Sequence, residues 1–128
     1  SGTYNKEANL SVSVGSTTYP DITDCKVSIK RSSDDTVELT LKGLSNLNSS
    51  QTGRAMNLGD FTVTDVKVTS TDNSIFKIEG NINTTDTNNT PITGTLSGTV
   101  SNSETNITFT FKPGAMPIDI TAMFKGKK

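Results

Sequence analysis

Along the first stretch of the chain, Tyr4, Ala8, Leu10, Val12 and Val14 share one parity, while Thr3, Asn5, Glu7, Asn9, Ser11 and Ser13 share the other. Side chains of a strand alternate between its two faces, so a period of two marks a strand with one face buried. The pattern recurs. Cys25, Val27 and Ile29 stand against Lys26, Ser28 and Lys30, and Val37, Leu39 and Leu41 against Glu38, Thr40 and Lys42. Further strands follow at Phe76, Ile78 and Ile82, at Ile92, Leu96 and Val100, at Ile107, Phe109 and Phe111, and at Ile118, Ile120, Ala122 and Phe124. Between them, Phe61 and Val63 are odd but Val66 and Val68 are even. A strand keeps its apolar face through such a switch only by absorbing one residue, so a β-bulge is predicted at Thr64-Asp65.

Eight strands result, with no helical period between them. Short polar turns at 32–35, 70–74 and 101–104 join neighbours as hairpins, which gives a meander. Eight hairpin-linked strands remove their exposed edges by closing into an antiparallel up-and-down barrel, with a two-sheet sandwich of crossed connections as the rival. Gly80, Gly94 and Gly98 fall at inward positions, where a sheet curls or a bulky neighbour needs room. A membrane-spanning barrel turns its apolar face outward and needs strands of roughly ten residues with aromatic girdles. Five Phe and two Tyr cannot build such girdles, so a water-facing barrel with an apolar interior is expected.

Composition agrees: 22 Thr, 15 Ser and 12 Asn make a strand-and-turn chain of 128 residues, the size of one domain spanning 1–128. A net charge of −1 with interspersed signs provides no field for nucleic acid, and Lys125, Lys127 and Lys128 read as a solvated tail. No stretch is apolar enough for a spanning helix. The sequence contains no His, which removes imidazole bases and imidazole ligands. Cys25 is the sole cysteine and shares the parity of Val27 and Ile29, so it reads as a core side chain. Asp34-Asp35 sits in a turn, where Asp bonds local backbone, and the oxygen-rich stretches at 72–73 and 86–89 lack the ligand spacing of a calcium loop and read as solvated. No catalytic residue, metal or cofactor is expected.

In a meander, successive loops go to alternate ends. The tight turns collect at one end, and the longer connections 15–24, 43–60, 83–90 and 112–117 collect at the other, which is the expected working face. Leu44, Leu47, Met56 and Leu58 give the 43–60 connection more apolar residues than a solvated loop requires, so they either plug the barrel or gate a ligand. Tyr19, Leu47, Met56, Leu58 and Met116 are the candidate ligand-binding rim.

Gly2-Thr3-Tyr4 leading into Asn9-Leu-Ser-Val-Ser-Val14, then Val37-Glu-Leu-Thr-Leu-Lys-Gly-Leu44, Leu58-Gly-Asp-Phe-Thr-Val-Thr-Asp-Val-Lys-Val68 and Gly94-Thr-Leu-Ser-Gly-Thr-Val100, resemble in their order the calycin-like β-barrel domains of gut Bacteroidetes, distant structural relatives of lipocalins. Gly2-Thr3-Tyr4 stands where lipocalins carry Gly-any-Trp, and this chain has no Trp. The resemblance implies a secreted, periplasmic or cell-surface protein, often a lipoprotein with a lipid anchor upstream of such a domain. Asp35-Thr36-Val37 is similar to the triplet those bacteria use for O-glycosylation. Two functions follow: a non-enzymatic interaction module for a protein or glycan partner, or a lipocalin-like carrier of a small apolar ligand in the lumen. A lined interior cavity of roughly 300 Å³ or more separates the second from the first.

Overall fold

A computed structural model describes residues 2–46, 58–70, 74–114 and 118–128. The strands are β1 (Gly2–Tyr4), β2 (Lys6–Val14), β3 (Thr17–Thr18), β4 (Lys26–Arg31), β5 (Thr36–Lys42), β6 (Phe61–Ser70), β7 (Ile75–Thr85), β8 (Pro91–Ser101), β9 (Glu104–Pro113) and β10 (Ile120–Lys127). Helical structure among the described residues is one 3-10 turn, Leu44–Asn46. All pairings are antiparallel in one curled sheet of order β1-β4-β5-β6-β7-β8-β9-β10-β2-β3. From β4 to β10 this is the expected meander.

The count is ten rather than eight for two reasons. The N-terminal run breaks at Asn5: β1 pairs with β4, Tyr4 opposite Val27, while β2 pairs with β10, Leu10 opposite Phe124. One strand that serves both the first and the last neighbour of a curled sheet has to bend between them, and Glu7 at φ 49° with a register shift opposite 125–127 supplies the bend. Edge strand β1 thus runs directly into β2, which lies next to the other edge of the sheet. The second addition, β3, is a two-residue return onto Ser13 and Val14.

The bulge stands where the parity switch puts it. Val37 pairs with Val66 but Leu39 with Val63, leaving Thr64 and Asp65 against Glu38, with Asp65 at φ 58°. Phe61, Val63 and Val66 are all buried as a result. Elsewhere the inward parity builds a core of Tyr4, Leu10, Val12, Val27, Leu39, Leu41, Ile78, Ile82, Ile92, Leu96, Ile107, Phe109, Phe111, Ile120 and Phe124. Cys25 is buried too, its thiol donating to the Ile22 carbonyl at 3.4 Å. Ile118 departs from its parity: it precedes β10 and is 50% exposed. The outer faces of β8 and β9 carry Thr93, Thr95, Ser97, Thr99, Thr108 and Thr110, the reverse of a lipid-facing wall.

The three inward glycines fit large side chains on both neighbours. Across β7 and β8, Ile78 faces Gly98, Leu96 faces Gly80 and Ile82 faces Gly94; across β8 and β9, Gly94 faces Phe111 and Gly98 faces Ile107. A Cβ at Gly94 would overlap the Thr110 carbonyl oxygen and sit 2.6 Å from Phe111 Cα. These are backbone atoms and cannot swing aside. Gly94→Ala is therefore expected to lose about 1–3 kcal/mol in urea melts, as overpacking does, with Thr95→Ala on the exposed face staying within about 0.5 kcal/mol. Equal melts for the two variants would contradict the close approach of β8 and β9.

Candidate binding surface at the long-loop end

The loop 86–90 between β7 and β8 reads Asp-Thr-Asn-Asn-Thr, a sequence whose first side chain can accept from the backbone two and four residues on. It does so. Asp86 Oδ1 accepts the N–H groups of Asn88 and Thr90, both at 2.9 Å, while its own N–H donates to the Thr90 carbonyl at 2.9 Å. Asn89 takes the left-handed conformation at φ 64°, closing the turn. Oδ2 then accepts the Gly59 N–H at 3.0 Å, from the far end of the 43–60 connection. Asp86 is 4% exposed, so this carboxylate is a buried clasp and the expectation of a solvated stretch at 86–89 is corrected at Asp86, while Thr87, Asn88 and Asn89 are exposed as expected.

Neighbouring bonds extend the clasp. Thr87 N–H donates to the Asp60 carbonyl at 2.9 Å, Asp60 N–H to Thr87 Oγ1 at 3.2 Å, and Gly43 N–H to Asp60 Oδ1 at 3.1 Å. Asp60 thus ties the start of the long connection to its end. A Cβ at Gly59 would overlap Thr87 Oγ1, so a larger residue there would push the Thr87 hydroxyl off its bond to the Asp60 N–H.

Of the candidate rim residues, Tyr19 and Leu58 are buried in the common core at 6% and 3% exposure, as is Leu44. None of the three presents an exposed apolar surface at this end. Leu47, Met56 and Met116 lie outside the described residues.

Two open polar hollows flank the neck and share Lys42 and Asp60. One, of about 420 Å³, adds Thr23, Asp24, Lys26 and Ser45. The other, of about 390 Å³, adds Thr40, Thr62, Thr84 and Thr87. Hydroxyls, carboxylates and ammonium groups there offer donors and acceptors in close succession. No group of three or more potential metal-ligating side chains occurs among the described residues. Burial, helped by the Asp24 carboxylate, pushes the Cys25 thiol up to about 11, so it carries negligible thiolate at neutral pH. The arrangement can bind polar groups through these donors and acceptors.

The opposite end differs in kind. Ile29, Val37, Val68, Phe76, Ile78 and Val100 line an apolar hollow of about 230 Å³ at the mouth beside the tight turns. Loop length gave no signal for it, although Phe76 near the end of its strand did. Asp34-Asp35 serves its turn there: Asp34 meets Arg31 at 3.5 Å, and the Asp35 carbonyl accepts Val68 N–H at 2.8 Å. The Thr36 hydroxyl of the Asp-Thr-Val triplet is engaged by Ser32 at 2.9 Å and Ser33 at 2.6 Å.

The family description "Calycin-like beta-barrel domain" matches residues 1–127. A solved structure from Bacteroides fragilis NCTC 9343, provisionally described as an outer membrane protein, is similar at 99% identity with a TM-score of 0.96, covering 100% of this chain and 50% of that one. This chain therefore spans half the length of that protein. No curated protein matches it.

Proposed function

Because the chain belongs to the calycin-like β-barrel domain family and fills its barrel with its own side chains, we propose that it is a non-enzymatic binding module of the bacterial cell envelope, recognising a polar ligand such as a glycan at its long-loop end. The observation that carries this reading is the occupied axis. Phe61 lies across the barrel against Phe109 at 6.1 Å and Phe111 at 5.5 Å, both edge-on, where a carrier would keep its ligand. The apolar hollow at the other mouth, about 230 Å³, falls below the roughly 300 Å³ at which ligand pockets begin. The similar Bacteroides protein and its description support envelope placement. The hydroxyl-rich outer faces of β8 and β9 support a water-facing domain rather than one embedded in lipid.

The clasp gives the long-loop end what a recognition surface needs: loops held by a rigid scaffold before the ligand arrives. Lys42, exposed and common to both polar hollows, is the residue best placed to touch a ligand.

A glycan array followed by titration of the best hit tests this. Lys42→Ala, and separately replacement of 48–57 by a short Gly-Ser linker, should each weaken binding by roughly tenfold or more, equivalent to 1.4 kcal/mol. The linker variant should stay folded, because the bonds of Gly43 to Asp60 and of Gly59 to Asp86 close the neck without those residues. Full binding by both variants, or loss through changes in the tight turn 101–104, would place recognition elsewhere. Saturable uptake of a fluorescent fatty acid into the core would restore the carrier reading.

A further inference from the structure

The mouth beside the tight turns has the anatomy of an interface. Phe76 is 37% exposed there, whereas Phe61, Phe109, Phe111 and Phe124 are at most 3% exposed. Val37, Val68 and Val100, in the same hollow, are only half-buried. Arg31, Ser33, Asp34 and Thr36 rim this apolar floor with polar groups. An apolar centre within a polar rim is how protein surfaces are built for a protein partner.

The position of the chain ends supports one occupant. Gly2 pairs with Ile29 of the hollow's lining, and Lys128 N–H donates to the Ser103 carbonyl at 2.9 Å with its ammonium 5.5 Å over the Tyr4 ring. Both ends thus emerge at this mouth. The Bacteroides protein that matches this chain at 99% identity is twice as long. Whichever end the rest of such a protein continues from, it leaves beside the apolar floor, held at high effective concentration by the connection.

We propose that the apolar mouth around Phe76 is the seat of the other half of that longer protein, an intramolecular interface that closes the barrel at the end where its own loops are too short to do so. Recognition at the long-loop end does not depend on it. The two ends then have separate tasks, one turned toward the ligand and one toward the rest of the chain.

Hydroxyl-radical footprinting of the full-length protein reads the interface directly. Phe76 should be modified as slowly as buried Phe109, while Met123, 56% exposed on the outer wall, is oxidised quickly and serves as the internal standard. In the full-length chain, Phe76→Asp should release the second half, raising the radius of gyration in solution scattering and opening a protease site between the halves. Because the wild-type footprint needs no variant, misfolding of Phe76→Asp leaves the test intact. Modification of Phe76 at a rate near that of Met123 overturns the proposal. So does protection that disappears on dilution together with a drop in mass by sedimentation, which assigns a second copy. Protection gained only on adding phosphatidylethanolamine and phosphatidylglycerol vesicles assigns lipid instead, and equally overturns it.

Discussion

Phe109→Ala is expected to lose about 3–5 kcal/mol of folding stability, the range seen when a large aromatic is removed from a packed core. Phe109 is fully buried in the middle of β9, with Leu96 opposite on β8 and Ala122 opposite on β10. Its ring is the edge-on partner of Phe61 from across the barrel. Ala122 is too small to fill the space left behind, and Leu96 is flanked by Gly94 and Gly98 at the neighbouring inward positions, so the cavity should persist. A domain of this size has roughly 5–15 kcal/mol to lose, so the variant should unfold at markedly lower urea. Phe109→Leu, which keeps most of the volume, should lose well under half as much. A loss below about 1 kcal/mol for the alanine variant would mean that the core collapses around the site.

Asp86→Ala is expected to cost about 2–4 kcal/mol and to loosen the long-loop end more than the rest of the barrel. A buried donor left without its acceptor costs about 1–3 kcal/mol. The Gly59 N–H is such a donor, whereas those of Asn88 and Thr90 are partly accessible and recover some of their bonding from water. Hydrogen exchange locates the effect: the amides of Gly59, Asn88 and Thr90 should exchange at least about tenfold faster, a change equivalent to 1.4 kcal/mol in local opening, while those of β9 and β10 change only with global stability. Asp86→Asn should fall between, because its amide keeps one acceptor oxygen but turns its nitrogen toward a donor. Unchanged exchange at Gly59 would remove the clasp, and with it the reason to regard this end as preorganised.

Both variants act on features that differ in how far they can be read from the chain. Phe109 stands between Ile107 and Phe111 in an unbroken alternation, and its burial follows from the period alone. For Asp86 the local half is legible, since an Asp opening an Asn- and Thr-rich stretch invites an Asx turn. Its bond to Gly59, 27 residues away, is not. The same divide runs through the rim. Leu44 and Leu58 are visible as apolar residues without a strand period, but their burial in the core rests on contacts with distant segments that the sequence does not show.

What the sequence by itself determined was everything carried by parity: strand type, the inward face, the bulge at Thr64-Asp65 and the inward glycines, because a period of two is local and a slip of one residue turns every side chain over. What only the tertiary structure decided concerned relations between distant segments. The break at Asn5 shows in the sequence only as Lys6, exposed at the inward parity between Tyr4 and Ala8, and nothing in the alternation tells that the two segments bond to different neighbours. Phe76 has inward parity and is nevertheless half-open, because inward means buried only where something closes that end of the barrel, and Ile118 has it but lies outside the strand and is exposed. Closure depends on which loops reach over the mouth and where the chain ends lie, and these are set by the curl of the whole sheet.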